Sequence, residues 1–293
     1  MNRADELLEA FERTSGVVGS GDPTGVLRPL VEACGWGTRA IEAPLLPSGV
    51  RHGVPFGISF VLGAGAPELR VFLEPQDEPP SGASYWRASE RVLAFVADRP
   101  GADLSRLARI RDLRAFARAW FTVAFRPDSP PAYRIYLCLD GDAAARTRTV
   151  REALERVGLA DVPRGPKDIP TILSLDLHAA PRTKLYVLEP ERLLDHPFAR
   201  AMPGGDRPMG WLACHFLGGA PRIGWHYGAA RHAPDDDELA LRLRRFLVER
   251  GIDDAPYARA RERLGFRHHF VSYQEIGGAP RVTVYQLPEV RRA

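Results

Sequence analysis

The stretch Thr171–Leu188, TILSLDLHAAPRTKLYVL, decides how the rest of the chain is read. Two runs rich in β-branched and apolar residues, Thr171–Leu177 and Arg182–Leu188, flank the turn-forming HAAP, which is the pattern of a β-hairpin. Alternate residues of a strand share a face. Arg182, Lys184 and Tyr186 therefore stand on one side of the second strand, and Leu185 and Val187 on the other. A strand with cations and a ring on one face and aliphatic residues on the other separates two environments.

The same unit recurs in four other places. Gly57–Leu62 (GISFVL) pairs with Glu68–Glu74 (ELRVFLE) across GAGAP, and Ala119–Arg126 (AWFTVAFR) with Tyr133–Leu139 (YRIYLCL) across PDSPPA. Met209–Leu217 (MGWLACHFL) pairs with Arg222–Tyr227 (RIGWHY), and His268–Ile276 (HHFVSYQEI) with Arg281–Leu287 (RVTVYQL), each across GGAP. Apolar residues three and four apart predict helices before and between the hairpins: Ala4–Phe11, Pro23–Cys34 capped by Asp22, Ser84–Ala97, Asp103–Arg118, Asp142–Val157, Glu191–Arg200, Asp236–Glu249 and Tyr257–Leu264. Hairpin strands are antiparallel, which excludes a parallel βαβ sheet. Ten strands left open would expose edges; closing them removes the edges and lets the helices coat the outside. The expected fold is an α+β, ten-stranded antiparallel β-barrel within a ring of helices, with residues 1–293 forming one domain.

The second strands share more than their place in the repeat. Arg70 shares a face with Phe72, Arg134 with Tyr136, Arg222 with His226, and Arg281 with Thr283 and Tyr285. The opposite faces are apolar: Leu69, Val71 and Leu73; Ile135, Leu137 and Leu139; Val282, Val284 and, less regularly, Leu287. If helices cover the apolar faces, the cations look into the barrel. Cations crowded in a low-dielectric chamber need an anionic guest. Arginine forks and tyrosine hydroxyls suit phosphate oxygens, and the rings beside them offer cation–π surface to a carbocation. A diphosphate ester that ionises to an allylic cation satisfies both. A non-catalytic barrel binding a phosphorylated or acidic small ligand would show the same inward cations.

Composition narrows the class. The 293 residues carry 40 basic and 37 acidic side chains, a formal charge of +3, too even for a nucleic-acid-binding surface. The three cysteines, Cys34, Cys138 and Cys214, are widely spaced and odd in number, which argues against disulfides and a zinc site and for a reducing cytoplasm. No apolar run is long enough to span a membrane.

These strands resemble those of the αββα-barrel aromatic prenyltransferases, a group that includes the indole (dimethylallyl-tryptophan) enzymes and the cyanobactin-type peptide enzymes. RTKLYV is similar to the R-x-K-x-Y diphosphate strand of the indole enzymes, and SLDL to the strand before it. LRVFLEP, YRIYL and VTVYQLP resemble three more diphosphate-binding strands. The resemblance implies a prenyl diphosphate donor, a dimethylallyl or geranyl group, and an aromatic (indole- or tyrosine-like) or peptide acceptor. It implies a diphosphate set of Arg70, Arg134, Tyr136, Arg182, Lys184, Tyr186 and Tyr285, with Arg222 and His226 joining on the looser match of WHYG and Arg281 as the cation opening the last strand. Indole members carry a glutamate base in the first strand, where this chain has Gly57, and a lysine in the third, where AWFTVAFR has none. Asp176, Glu74 and Glu275 remain as proton acceptors, Asp176 equally as a partner that orients a cation. Trp120, Trp211, Trp225 and Ser59 are candidates for the acceptor pocket, although large rings in strands are more often plain core. No cofactor is required by this reading; Mg²⁺ is left as a possible companion of the diphosphate.

Two tempting motifs have simpler explanations. DDDE at Asp235–Glu238 opens a helix, where acids cap the amino terminus and favour its dipole. The neighbours His268 and His269, like Cys214 and His215, point to opposite faces of a strand, a poor geometry for metal ligation or a nucleophile pair.

Overall fold

The computed structural model describes residues 3–22, 24–35, 56–65, 67–75, 82–113, 116–160, 168–178, 182–188, 196–203, 211–218, 222–229, 233, 235–264 and 267–287. Ten strands form a closed antiparallel barrel in which each strand pairs with its sequence neighbours and β1 pairs with β10. They are β1 Phe56–Gly63, β2 Leu69–Leu73, β3 Phe116–Arg126, β4 Ser129–Leu139, β5 Ile169–Asp176, β6 Thr183–Leu188, β7 Trp211–Leu217, β8 Arg222–Tyr227, β9 Arg267–Ile276 and β10 Ala279–Leu287. The helices are α1 Arg3–Val18, α2 Leu27–Ala33, α3 Gly82–Ala97, α4 Ser105–Ala108, α5 Ala143–Arg156, α6 Pro197–Ala201, α7 Asp236–Glu249 and α8 Ala255–Leu264. Among the described residues no helix is long and apolar enough to cross a membrane.

The period of two sorts side chains between the two surfaces of the barrel. Outward-facing Leu69, Val71, Leu73, Ile135, Leu137, Leu185, Val187, Val282 and Val284 are at most 1% exposed, because helices cover them. They join Leu7, Phe11, Leu30, Val150 and Leu154 of α1, α2 and α5 in one apolar cluster. Full burial of one such side chain stabilises by about 1.5–3 kcal/mol. A separate small cluster, Tyr136, Tyr186 and Cys214 with Phe72, Trp120, Ile172 and Phe216, lies inside the barrel. The core is therefore the layer between sheet and helices, and the interior is left for other residues.

Element boundaries depart from expectation where strand pairing outweighs local pattern. The helix expected over Asp103–Arg118 is one turn, Ser105–Ala108, and β3 already begins at Phe116, which pairs with Leu139. β4 starts at Ser129 rather than Tyr133, after the two-residue turn Pro127–Asp128, in which Asp128 takes a left-handed φ of 55°. Pro130 and Pro131 are tolerated because β4 pairs with β5 only from Arg134 onward, so no ladder bond is lost on that side. Asp22 accepts from the backbone of Leu27 at 2.5 Å, and α2 begins at Leu27. Asp235 caps α7 by accepting from Asp237 and Glu238, as its motif implies. Pro23, residues 191–195 and the side chains of Trp211 and Leu287 lie outside the described residues.

Closure rests on the seam between β1 and β10, where Ser59 faces Tyr285 and Gly63 faces Arg281. Gly63 has φ +88°, and a Cβ there would stand 2.4 Å from the Pro280 carbonyl oxygen. That carbonyl accepts from Ala64 at 2.9 Å, so it cannot move away without cost. Gly63→Ala is expected to destabilise the barrel by at least about 2 kcal/mol, a visible fall in Tm by calorimetry; an unchanged Tm would remove the seam from the account of closure.

Candidate active site

All five hairpin turns lie at one end of the barrel, and the helical crossovers lie at the other. The turn end opens into a cavity of about 230 Å³. Its wall carries Arg70 from β2, Arg126 from β3, Arg134 from β4, Arg182 and Lys184 at β6, Arg222 from β8 and Arg281 from β10. The inward-facing reading of the second strands therefore holds for all five cationic positions. Arg134 and Lys184 are each 8% exposed, whereas Arg222 is exposed and the Arg182 side chain is 55% exposed, so these two stand at the mouth.

Further along the same strands the cations give way to rings. Phe72, Tyr136, Tyr186, His226 and Tyr285 close a circuit inside the barrel. Centroids are 6.1 Å apart for Phe72–Tyr136, 5.9 Å for Tyr136–Tyr186, 5.2 Å for Tyr186–His226, 6.2 Å for His226–Tyr285 and 5.2 Å for Tyr285–Phe72. Trp120 stacks on Tyr136 at 6.2 Å and Phe270 meets Tyr285 edge-on at 6.3 Å. The chamber thus has a cationic half at the turns and an aromatic half beneath it.

Two buried carboxylates organise the cations. Glu68, whose side chain is 1% exposed, accepts from Arg70 Nε and from Arg126 Nε (2.5 Å) and lies 3.4 Å from an Arg281 Nη. Burial alone would raise its carboxyl; the three guanidiniums outweigh that and hold it well below the usual range. Asp176 is bonded to Arg134, to Arg182 Nε at 3.1 Å and to the Arg182 backbone N–H at 3.2 Å, with His178 Nε2 at 3.5 Å. Its carboxyl is also lowered, burial being outweighed by Arg134 and Arg182. An anion so held is a poor proton acceptor, which favours the orienting role over the role of base. Each carboxylate engages guanidinium Nε atoms, which fixes the planes of those groups.

The other groups on the chamber wall are tuned by burial. Lys184 lies with Nζ 4.5 Å from the Phe216 ring centroid; burial, then Arg134, push its ammonium well below the ordinary lysine value. Tyr285 is pushed up to about 12 by burial, so it stays a neutral donor. Ser59 and Ser174, both 0% exposed, face Arg70 and Lys184 in the cross-strand register, and their hydroxyls have no hydrogen-bond partner among the described residues.

The remaining candidates separate. Glu74 is buried directly after β2, two residues past Phe72 and away from the cationic cavity. Trp120 is in the chamber, while the Trp211 side chain is outside the described residues. Glu275 is excluded as a chamber residue: Gln274 lines the cavity, so its neighbour faces out, where it accepts from Tyr273 at 2.6 Å. Trp225 likewise packs against the outer core, 5.1 Å from His196. His268 is buried under the helices, Nδ1 2.8 Å from Asp236 and Nε2 2.8 Å from the Tyr257 hydroxyl. Sequence reasoning passed over Glu68, Arg126, His178 and Gln274. A signal existed for two of them: Glu68 stands two residues before Arg70, and Arg126 ends its strand at the same turn end. Among the described residues no group of three or more His, Cys, Asp or Glu side chains could hold a metal ion.

The imidazole of His226 is depressed from 6.5 to about 3, by burial first and then by Lys184 and Arg70. The folded protein therefore binds this proton less readily than the unfolded chain. Stability from this group is present above pH 6.5 and is lost as pH falls towards about 3. His226→Gln is expected to flatten the fall of denaturation midpoint across that acid window; an unchanged slope in the variant would count against the neutral imidazole.

No family model matches the sequence, and no curated protein matches it. Solved structures do. The 6-dimethylallyltryptophan synthase of Micromonospora olivasterospora, determined with DMASPP and Trp, has a TM-score of 0.85 at 26% identity, covering 99% of this chain and 98% of its own. The 5-dimethylallyl tryptophan synthase of Streptomyces coelicolor, also with DMASPP and Trp, gives 0.83 at 22% identity over 100% and 98%. The prenyltransferase PriB, with L-tryptophan and dimethylallyl thiolodiphosphate, gives 0.75 at 24% over 99% and 97%. The closed barrel, its coat of helices and these end-to-end likenesses give the chain the αββα-barrel fold of these aromatic prenyltransferases, and the proteins it is similar to are transferases.

Proposed function

We propose that the chain transfers a dimethylallyl group from its diphosphate to the indole of tryptophan or of a tryptophan-like acceptor, a free amino acid or a residue in a peptide. The observation that carries this is the circuit of five aromatic rings set directly beneath the cationic cavity. The bound ligands of the similar structures agree with it.

In this reading Arg70, Arg134, Lys184 and Arg281 hold the diphosphate, Arg182 and Arg222 close over it at the mouth, and the Tyr136, Tyr186 and Tyr285 hydroxyls donate to its oxygens. The allylic C–O bond breaks and its electron pair leaves with the diphosphate. The delocalised cation lies among the rings, whose faces stabilise it. A ring carbon of the acceptor attacks, and the proton on that carbon must then leave. Asp176 orients Arg134 and Arg182. Glu74, buried beyond Phe72, is the carboxylate we assign to accept the proton in place of the glutamate that Gly57 replaces. Trp120 and Ser59 belong to the walls on the acceptor side. The positive charge that the leaving group needs is supplied by these side chains; a magnesium ion, as a companion of the diphosphate, would add to that charge. The buried Cys34, Cys138 and Cys214 form no disulfide among the described residues, which suits a cytoplasmic setting.

The test is release of inorganic diphosphate from dimethylallyl diphosphate with tryptophan, tryptophan-containing peptides and tyrosine as acceptors; no turnover with any of them and no donor binding would end this reading. Lys184→Ala is expected to raise the donor KM by about ten- to a hundredfold, the loss of one charged hydrogen bond, and unchanged kinetics would remove Lys184 from the donor site. Glu74→Gln is expected to lower kcat by about a hundredfold with the donor KM within twofold of the wild type; the reverse pattern would reassign Glu74 to donor binding.

A further inference from the structure

We propose that Glu68 sets an upper limit on how tightly the chamber holds diphosphate, so that the product anion leaves after each transfer. The inference rests on the donor-site reading above. Glu68 lines the same cavity wall as Arg70, Arg126 and Arg281 and is bonded to all three. With its side chain 1% exposed, it is a permanent negative charge inside an anion site.

Such a charge has two effects of opposite sign on a bound anion. It fixes the Arg70 and Arg126 guanidiniums through Nε, which favours an oriented ligand. It also repels that ligand. A carboxylate about 6 Å from a phosphoryl oxygen, at an effective dielectric near 20, weakens binding by roughly a hundredfold per unit charge before screening by the bonded arginines. The repulsion acts on every diphosphate, but free inorganic diphosphate carries more charge than its ester and feels it more. Release of product, rather than chemistry, sets turnover in many enzymes. Glu68 thereby trades donor affinity for product release, and it is a positioning residue, not one that touches the reacting carbon.

The experiment is isothermal titration of the full chain with inorganic diphosphate and, separately, with dimethylallyl thiolodiphosphate, alongside inhibition of turnover by inorganic diphosphate. In Glu68→Gln the affinity for inorganic diphosphate is expected to rise at least about tenfold, with a smaller gain for the thiolodiphosphate and a steady-state rate below the first-turnover rate. Unchanged or weakened diphosphate affinity in the folded variant overturns the proposal. If Glu68→Gln does not fold, the pair Arg126→Gln and Glu68→Gln/Arg126→Gln, which removes one charge and then one of each sign, carries the same question. The double variant is expected to bind inorganic diphosphate at least about fivefold tighter than Arg126→Gln alone; equal affinities overturn the proposal. A wild-type chain that binds neither ligand overturns the donor-site reading itself, and Glu68 with it.

Discussion

Guanidinium groups of like charge cannot share a dry chamber unless something negative shares it with them. In this barrel the negative charge is built in twice, as Glu68 near the first hairpin turn and Asp176 near the third. Each is almost fully buried and each gathers arginines from strands distant in sequence. Without them Arg70, Arg126, Arg134 and Arg182 would repel one another and swing outward to water. With them the cations stay at fixed places on the wall of an otherwise aromatic interior. The rest of the chamber depends on that arrangement: Lys184 and His226 are pushed towards neutrality by burial and by these same neighbours.

The pleat does the larger sorting. On the second strands the inward positions carry charges and rings, while outward Leu69, Val71, Ile135, Leu137, Leu185, Val187, Val282 and Val284 are aliphatic and buried. A shift of register by a single residue would put arginines under the helices and leucines in the chamber. The apolar faces therefore hold the strands in register, and the register places the cations. Stability and ligand chemistry are written on the same strands, on opposite sides.

That division explains what could be read from the sequence. Arg70, Arg134, Lys184, Tyr136, Tyr186, Tyr285 and His226 were legible because strand periodicity fixes the side a residue faces, and because the pattern repeats five times. Glu68 and Asp176 were harder for one reason: their meaning lies in partners that only closure brings together, such as Arg126 for Glu68. Glu275, offered as a proton acceptor, faces out instead, because a strand's phase is hard to fix near its turn. The over-long helix before β3 failed because FARAW suits either period, and pairing with β4 settled it.

The seam between β1 and β10 joins residues from opposite ends of the chain, Ser59 with Tyr285 and Gly63 with Arg281. Tyr285 belongs to the ring circuit and Arg281 to the cationic wall, so the chamber is complete only when the seam is shut. Whatever anion occupies the chamber then binds the closed barrel and not the opened one, and by mass action its binding free energy adds to the free energy of closure. Such long-range pairing also makes closure a late, slow event in folding. A cell rich in ligand would thus shelter the newly made chain as well as feed the finished one.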